Sequence, residues 1–369
     1  MKKKIAILAT YIGVVNRGAE TFVIELSKQL MDEYDIDIYS TERIDALNEN
    51  IIKVTIEKNS LFKMHEFLYM NLKIYRRICN KIYWIIPDIL YQKKFTKKVF
   101  LEYISGKKYD LIFPNNGIWG AIYAKKFRKI KKVPYIYTGH GGIGYGERIA
   151  LEQNPDYYIA LNTSHEQWAR KYSNNIRKIY NGINCGKFKK IKNFKKDLEE
   201  KKQKNILVVG ALTKFKRHKL IIDAVSLLSN CSLTILGQGE LYNELKEYGY
   251  KKLGKNFKID AIAYEEIKKY YEKADMFTLA STGEPFGIVY LEAMAMGLPV
   301  VAPNDQTRKE IIGNSGILCN CENPEEYAQA ISKVMSLDWD GIPRKQALKF
   351  DWCTISLQYK EIIEKVTAR

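Results

Sequence analysis

Short apolar runs bounded by turn residues alternate with amphipathic stretches along this chain, and the pattern is laid down twice. In the first half, Lys4 to Ala9, Ile36 to Ser40, Leu111 to Pro114, Tyr135 to Thr138 and Tyr157 to Leu161 read as buried strands. Between the first two, Ala19 to Met31 sets Phe22, Val23, Leu26 and Leu30 on one helical face. The second half restarts with a strand at Asn205 to Gly210 and a helix at Leu220 to Leu228. Strands at Leu233 to Gly237, Met276 to Ala280, Leu298 to Ala302 and Gly316 to Cys319 follow. Strands that are apolar on both faces belong to parallel sheets, which need crossover helices, so the economical fold is α/β with two Rossmann-like, doubly wound domains. A chain of 369 residues is also longer than one core usually grows. The domains are placed at 1–185 and 186–348, with the Lys-rich stretch Lys187 to Lys204 as a linker or surface helix. Trp352, Ile355, Tyr359 and Ile362 recur at helical spacing, which predicts a terminal helix over 349–369 that packs back on the first domain.

Charge is unevenly spread. The net charge is +18, and residues 61–132 hold seventeen Lys and Arg against four acids, a net +13 in that segment alone. The same segment interleaves aromatics: Phe62, Phe67, Tyr69, Tyr75, Tyr83, Trp84, Tyr91 and Phe95. Such a mixture suits nucleic acid, an anionic membrane surface, or a helical hairpin covering the first sheet. No nucleic-acid-binding module signature is present, so no nucleic-acid partner is expected. The six cysteines are scattered, and only Cys319 and Cys321 are close, which fits reduced thiols in a cytoplasmic protein. On one strand those two would point to opposite faces and make poor metal partners. The start, MKKKIAILATYIGVV, imitates a secretory signal but reads better as the first buried strand. No run approaches the roughly 20 apolar residues that span a bilayer, so a soluble or peripheral protein is expected.

The stretch STGEPFGIVYLEAMAMGLPVVAP, Ser281 to Pro303, places two carboxylates around a loop-to-helix turn. Gly283, Pro285 and Gly287 punctuate the loop that carries Glu284. Ile288, Leu291, Ala295 and Met296 then recur at helical spacing, with Glu292 among them, until Gly297 and Pro299 stop the helix. A helix start offers unpaired N–H groups and partial positive charge to a phosphate, whereas carboxylates suit hydroxyl donors on a sugar or ribose. Together they read as a pocket for a sugar nucleotide. Asp35-Ile36-Asp37 spells D-x-D, but it opens an alternating strand and is not read as a metal site; none is predicted.

Several motifs fall in the order found in the retaining glycosyltransferases of the two-Rossmann-domain (GT-B) type, family 4 in particular, which the chain resembles. They are the loop and R-G-A-E-T after the first strand, with Gly13 and Gly18; T-G-H-G-G at Thr138 to Gly142; Y-N-G-I at Tyr180 to Ile183; V-V-G-A-L-T-K-F-K-R-H-K from Val208; L-G-Q-G-E from Leu236; and the E-x7-E element from Glu284 to Glu292. The resemblance covers nearly the whole chain. It implies two domains facing across a cleft, the nucleotide-sugar held mainly by the C-terminal one and the acceptor by the N-terminal one. Glu284, Lys216 and His140 would be catalytic: Glu284 on hydroxyls of the transferred sugar, Lys216 on the leaving phosphate, His140 on the acceptor side. Gly210, Arg217, Phe286, Gly287, Ile288, Glu292, Gly13 and Gly18 would bind the donor, with Glu292 on the ribose diol and the amides of 286–288 on the diphosphate. Members usually carry arginine after the glycine of the fourth motif; here the position is Ala211, and Arg217 is the candidate replacement.

The activity implied is metal-independent, cofactor-free hexosyl transfer to a glycan or lipid-linked glycan in building cell-surface polysaccharide. The partners implied are a nucleotide-sugar donor and that acceptor; the basic, aromatic segment 61–132 adds an anionic membrane surface as an expected partner, with the protein cytoplasmic or peripheral on the inner membrane face. Two further classes fit the architecture: a sugar-nucleotide 2-epimerase, and a non-catalytic sugar or membrane-surface binding protein.

Overall fold

The central strands form where apolar residues run on without alternation, because both sheet faces there are covered by helices. The computed structural model describes residues 2–14, 18–44, 47, 49–82, 86–115, 117–189 and 203–368. Arg17, Tyr83, Trp84 and most of the Lys-rich stretch after Lys187 lie outside the described residues.

The described residues pack as two compact units. The first gathers 1–161, 165–179 and 356–369, and the second 162–164 and 180–355. In the first unit the strands are β1 (Lys4–Leu8), β2 (Asp35–Ser40), β3 (Ile51–Lys53), β4 (Leu111–Pro114), β5 (Ile136–Thr138), β6 (Tyr157–Ala160) and β7 (Ile176–Lys178). They pair in parallel in the orders β3-β2-β1-β4 and β5-β6-β7, and a bridge between Ile112 and Tyr135 links the two sets. In the second unit β8 (Lys204–Val209), β9 (Cys231–Leu236), β10 (Phe257–Asp260), β11 (Met276–Thr278), β12 (Val300–Pro303) and β13 (Gly316–Cys319) form one parallel sheet. Its order is β10-β9-β8-β11-β12-β13, the doubly wound arrangement whose direction reverses between β8 and β11.

Three strands escape a reading by apolar runs: β3, β7 and β10. All three lie at sheet edges and are only partly buried, so they lack the continuous apolar signature. The terminal helix spans Trp352–Thr367, and from Ser356 onward it belongs to the first unit. There the fully buried Tyr359 ring meets Phe22 at 5.5 Å and Phe113 at 6.2 Å.

Helices at Pro87–Lys98 and Ile118–Lys131 cover the first sheet, packing Phe95, Ala124 and Phe127 against Ala6, Leu8 and Ile112. The helices at Ser60–Asn71 and Lys73–Lys81 differ, since little of either is buried. The opposite-face reading of Cys319 and Cys321 is corrected. The strand stops at Cys319, the chain turns, and the two buried sulfurs lie 3.8 Å apart.

Candidate functional site

In a doubly wound sheet, ligands bind beyond the carboxyl ends of the strands where strand order reverses. In the second unit that point lies past β8 and β11, where Val209 leads into Gly210 and Thr278 into the Ser281 loop. After Gly210 the chain makes a short helical turn at Lys214–Lys216. Arg217 then takes a left-handed conformation and opens the helix His218–Ser226. The Phe215 carbonyl accepts from the Thr282 amide at 3.0 Å, tying this turn to the loop after β11.

That tie brings Lys216 and Glu284 together. Their side chains form an ion pair, both largely shielded from water, and the lysine stem passes Gly210 closely enough that a Cβ there would meet Lys216 Cε at 3.7 Å. Arg217 is engaged elsewhere: its Nε donates to the Ala280 carbonyl at 2.6 Å and its Nη1 pairs with Glu322 at 2.8 Å. Of the two cations predicted at this turn, Lys216 is therefore the one that faces Glu284. His218, next to them, is buried, and neither ring nitrogen has a hydrogen-bond partner among the described residues. Burial, with Lys216 adding to it, lowers its pKa to about 4.

The Glu284 loop is held from beneath. Arg308 is almost fully buried and donates to the Ser281 carbonyl at 3.2 Å, the Ser281 hydroxyl at 3.0 Å and the Glu284 carbonyl at 3.4 Å, while pairing with Asp305 at 3.1 Å. Asn162 donates to the Pro285 carbonyl at 2.6 Å. Gly287 turns the loop into the helix Ile288–Ala295 with φ +91°, and a Cβ there would stand 2.7 Å from the Tyr290 ring. Glycine is required on both counts. The Phe286 side chain is buried against Tyr180 and Phe350, so the loop presents its backbone. Glu292, on the helix, is 3% exposed. The hydroxyls of Tyr264 and Tyr271 each donate to one of its oxygens at 2.9 Å, and burial raises its pKa. Each oxygen retains a second lone pair.

In the first unit His140 follows β5. Its Nε2 lies 2.9 Å from Asn115 Oδ1, and the Asn115 amide donates to the Ala19 carbonyl at 3.0 Å. With the amide so oriented, Nε2 carries the proton and Nδ1 is left as an acceptor. Burial, reinforced by His165, lowers the His140 pKa to about 3, so the ring is neutral near pH 7. Its loop is anchored by Glu147, which accepts from the Gly141 amide at 2.7 Å and from the Tyr158 hydroxyl at 2.9 Å. Burial pushes that carboxyl up to about 7.

Gly13, with φ +77°, lines a cavity of about 880 Å³ in the same unit, together with Tyr11, Thr41, Glu42, Lys58 and Asp88. The polar groups there are mostly paired: Lys53 with Glu42 at 2.7 Å, Lys58 with Glu66 at 2.9 Å, Tyr11 with Asp88. Gly18 opens the helix Gly18–Leu30. The D-x-D carboxylates are neutralised by lysines, Asp35 by Lys4 at 2.9 Å and Asp37 by Lys107 at 3.3 Å.

Sequence reasoning missed Arg308, Tyr264, Tyr271, Asn115, Glu147 and Asn162. Arg308 sits one turn into a helix capped by Asp305, a place where a cation usually faces water. No local pattern marks it as buried.

Residues 189–349 match the family model of glycosyl transferases group 1. An uncharacterized glycosyltransferase of Methanocaldococcus jannaschii is 27% identical over 95% of this chain and 95% of its own length. The N-acetylgalactosamine-N,N'-diacetylbacillosaminyl-diphospho-undecaprenol 4-alpha-N-acetylgalactosaminyltransferase of Campylobacter jejuni is 32% identical over 37% of this chain and 39% of that protein. Among solved structures, Anabaena HepE in complex with UDP and glucose superposes with a TM-score of 0.73 at 18% identity, covering 98% of this chain and 99% of that one. That likeness shows a shared fold, the α/β GT-B architecture of two Rossmann-like units. Fold and matched segment together support a GT-B glycosyltransferase.

Proposed function

We propose that the protein is a retaining, metal-independent hexosyltransferase of family 4. In this reading it moves a sugar from a nucleoside diphosphate to a hydroxyl of a glycan or lipid-linked glycan in cell-surface polysaccharide synthesis. The observation that carries the proposal is the Lys216–Glu284 pair, set beyond β8 and β11 beside the helix start at Gly287. The bond from the anomeric carbon to the diphosphate oxygen breaks, the nucleoside diphosphate leaves with the electron pair, and the acceptor oxygen bonds to that carbon. The acceptor's proton passes to the departing phosphate.

Lys216 and the amides at 286–288 stabilise the charge that develops on the leaving group; a preplaced donor of this kind contributes on the order of 3–4 kcal/mol. Gly210 lies beside the lysine stem, at the carboxyl end of β8. Glu284 accepts from hydroxyls of the transferred sugar, and Glu292 uses its remaining lone pairs for the ribose diol. His140 contributes a neutral acceptor nitrogen on the acceptor side. HepE, whose structure is a complex with UDP and glucose, supports a uridine nucleotide as the first donor to try, and the Campylobacter relative supports a diphospho-polyprenyl acceptor. With such an acceptor the protein works peripherally on the inner face of a membrane.

The test is nucleoside diphosphate release from UDP-, GDP- and ADP-hexoses, followed with wild type and Glu284→Ala. Release and transfer with one donor, lost in the variant by a factor of about 100–1,000, are expected. Undiminished transfer by Glu284→Ala overturns the assignment, and an epimerised donor without transfer would make the protein an isomerase.

A further inference from the structure

We infer that the helical hairpin of Ser60–Asn71 and Lys73–Lys81 is the membrane-docking element of the first unit, and that its partner is an anionic lipid surface. The inference deepens the peripheral membrane contact proposed above and rests on it. The basic segment 61–132 divides into two kinds of helix. Those at Pro87–Lys98 and Ile118–Lys131 bury most of their apolar residues, Phe95, Ala124 and Phe127 against the sheet, whereas the hairpin buries Phe62 and Cys79 and leaves most of its own exposed. Leu61, Met64, Phe67, Met70, Ile74 and Ile78 are each at least half exposed, and Ile74 reaches 78%. So dense an exposed apolar set marks an interaction surface.

Charge selects the partner. Lys63, Lys73, Arg76, Arg77 and Lys81 intersperse those apolar residues, and the one acid among them, Glu66, is already paired with Lys58 at 2.9 Å. Apolar side chains ringed by cations on short helices suit the interface of a bilayer carrying anionic headgroups. Five of the six exposed side chains are aliphatic or thioether groups, which offer bases no stacking platform, so the surface is a poor nucleic-acid site. The hairpin is also held in shape before it meets a membrane. Arg76 Nε donates to the Tyr69 carbonyl at 3.0 Å, closing the first helix onto the second, and His65 Nδ1 lies 2.7 Å from the Tyr75 hydroxyl. No helix among the described residues is long and apolar enough to cross a membrane, so the contact is interfacial.

The experiment is co-sedimentation of the full chain with vesicles of phosphatidylcholine alone or mixed with phosphatidylglycerol, at 0.1 M salt. Three proteins are compared: wild type, Phe67→Ser/Ile74→Ser and Lys73→Gln/Arg77→Gln. Melting temperature and nucleoside diphosphate release are measured on each. Wild type is expected to bind the anionic vesicles only. The apolar variant should lose at least tenfold in partitioning, and the charge variant about fivefold per cation removed. Melting and diphosphate release should stay unchanged. Wild-type binding retained by both variants overturns the hairpin assignment and leaves the membrane reading standing. No wild-type binding overturns both, while the glycosyltransferase reading is judged separately by diphosphate release. A wild-type dimer that dissociates in the apolar variant, without vesicle binding, overturns the inference in favour of a self-association surface.

Discussion

At the scale of single residues, Lys216 and Glu284 hold each other until something more anionic competes for the lysine. A diphosphate does so, and replacing the carboxylate should make its task easier. Glu284→Gln is therefore expected to bind nucleoside diphosphate several-fold more tightly while transfer falls by a factor of about 100–1,000, a split that calorimetric titration beside a transfer assay resolves. Equal loss of both would mean that Glu284 organises the loop and does not compete for the lysine. His218 gives a second prediction. Its folded pKa, about 4, lies below the ordinary 6.5, so folding favours the neutral ring. Its contribution is full above pH 6.5 and lost as pH falls toward 4, by about 1.4 kcal/mol per unit. His218→Phe removes a buried group without partners and should raise the melting temperature of the second unit at pH 7, as well as flatten its decline between pH 6.5 and 4. A scan of melting temperature against pH checks both.

At the scale of elements, the loop from Ser281 to Gly287 is shaped by groups that its own sequence does not contain. Arg308 satisfies its carbonyls from a neighbouring helix, so Arg308→Met should leave buried acceptors without donors, each costing about 1–3 kcal/mol. Chemical denaturation of the second unit measures that loss, and a variant as stable as wild type would contradict it. Gly287→Ala should fail differently: its positive φ and the nearby Tyr290 ring force the loop to shift, so donor turnover falls by more than stability does. The E-x7-E composite was legible because glycine, proline and helical periodicity are local signals. Arg308 and the tyrosines around Glu292 were not legible, since a partner 21 or more positions away along the chain leaves no mark on the residue it supports. The central strands were likewise readable from continuous apolar runs, while β3, β7 and β10, half-covered at sheet edges, were not.

At the scale of the molecule, the chain consists of two units with separate cores, and the candidate donor groups after β8 and β11 belong to the second. A ligand that binds only one folded unit stabilises that unit by mass action, about 2.7 kcal/mol at one hundred times its Kd. In calorimetry with UDP, GDP and ADP, the cognate nucleotide should raise the transition of the second unit more than that of the first. The units can be told apart by whether His218→Phe moves the same transition. A nucleotide that raises only the first unit's transition would reverse the assignment of the donor side.

What the sequence by itself determined was the α/β plan, two doubly wound sheets, the loop that carries Glu284 into its helix, and the basic character of 61–132. Periodicity and turn chemistry report local burial, and those features are local. What only the tertiary structure decided was the pairing of side chains: Lys216 with Glu284, Arg217 with Glu322, Cys319 beside Cys321, and a hairpin most of whose apolar residues face water while neighbouring helices bury most of theirs. Which partner a charge finds depends on where the chain returns in space, and no spacing along the chain records that.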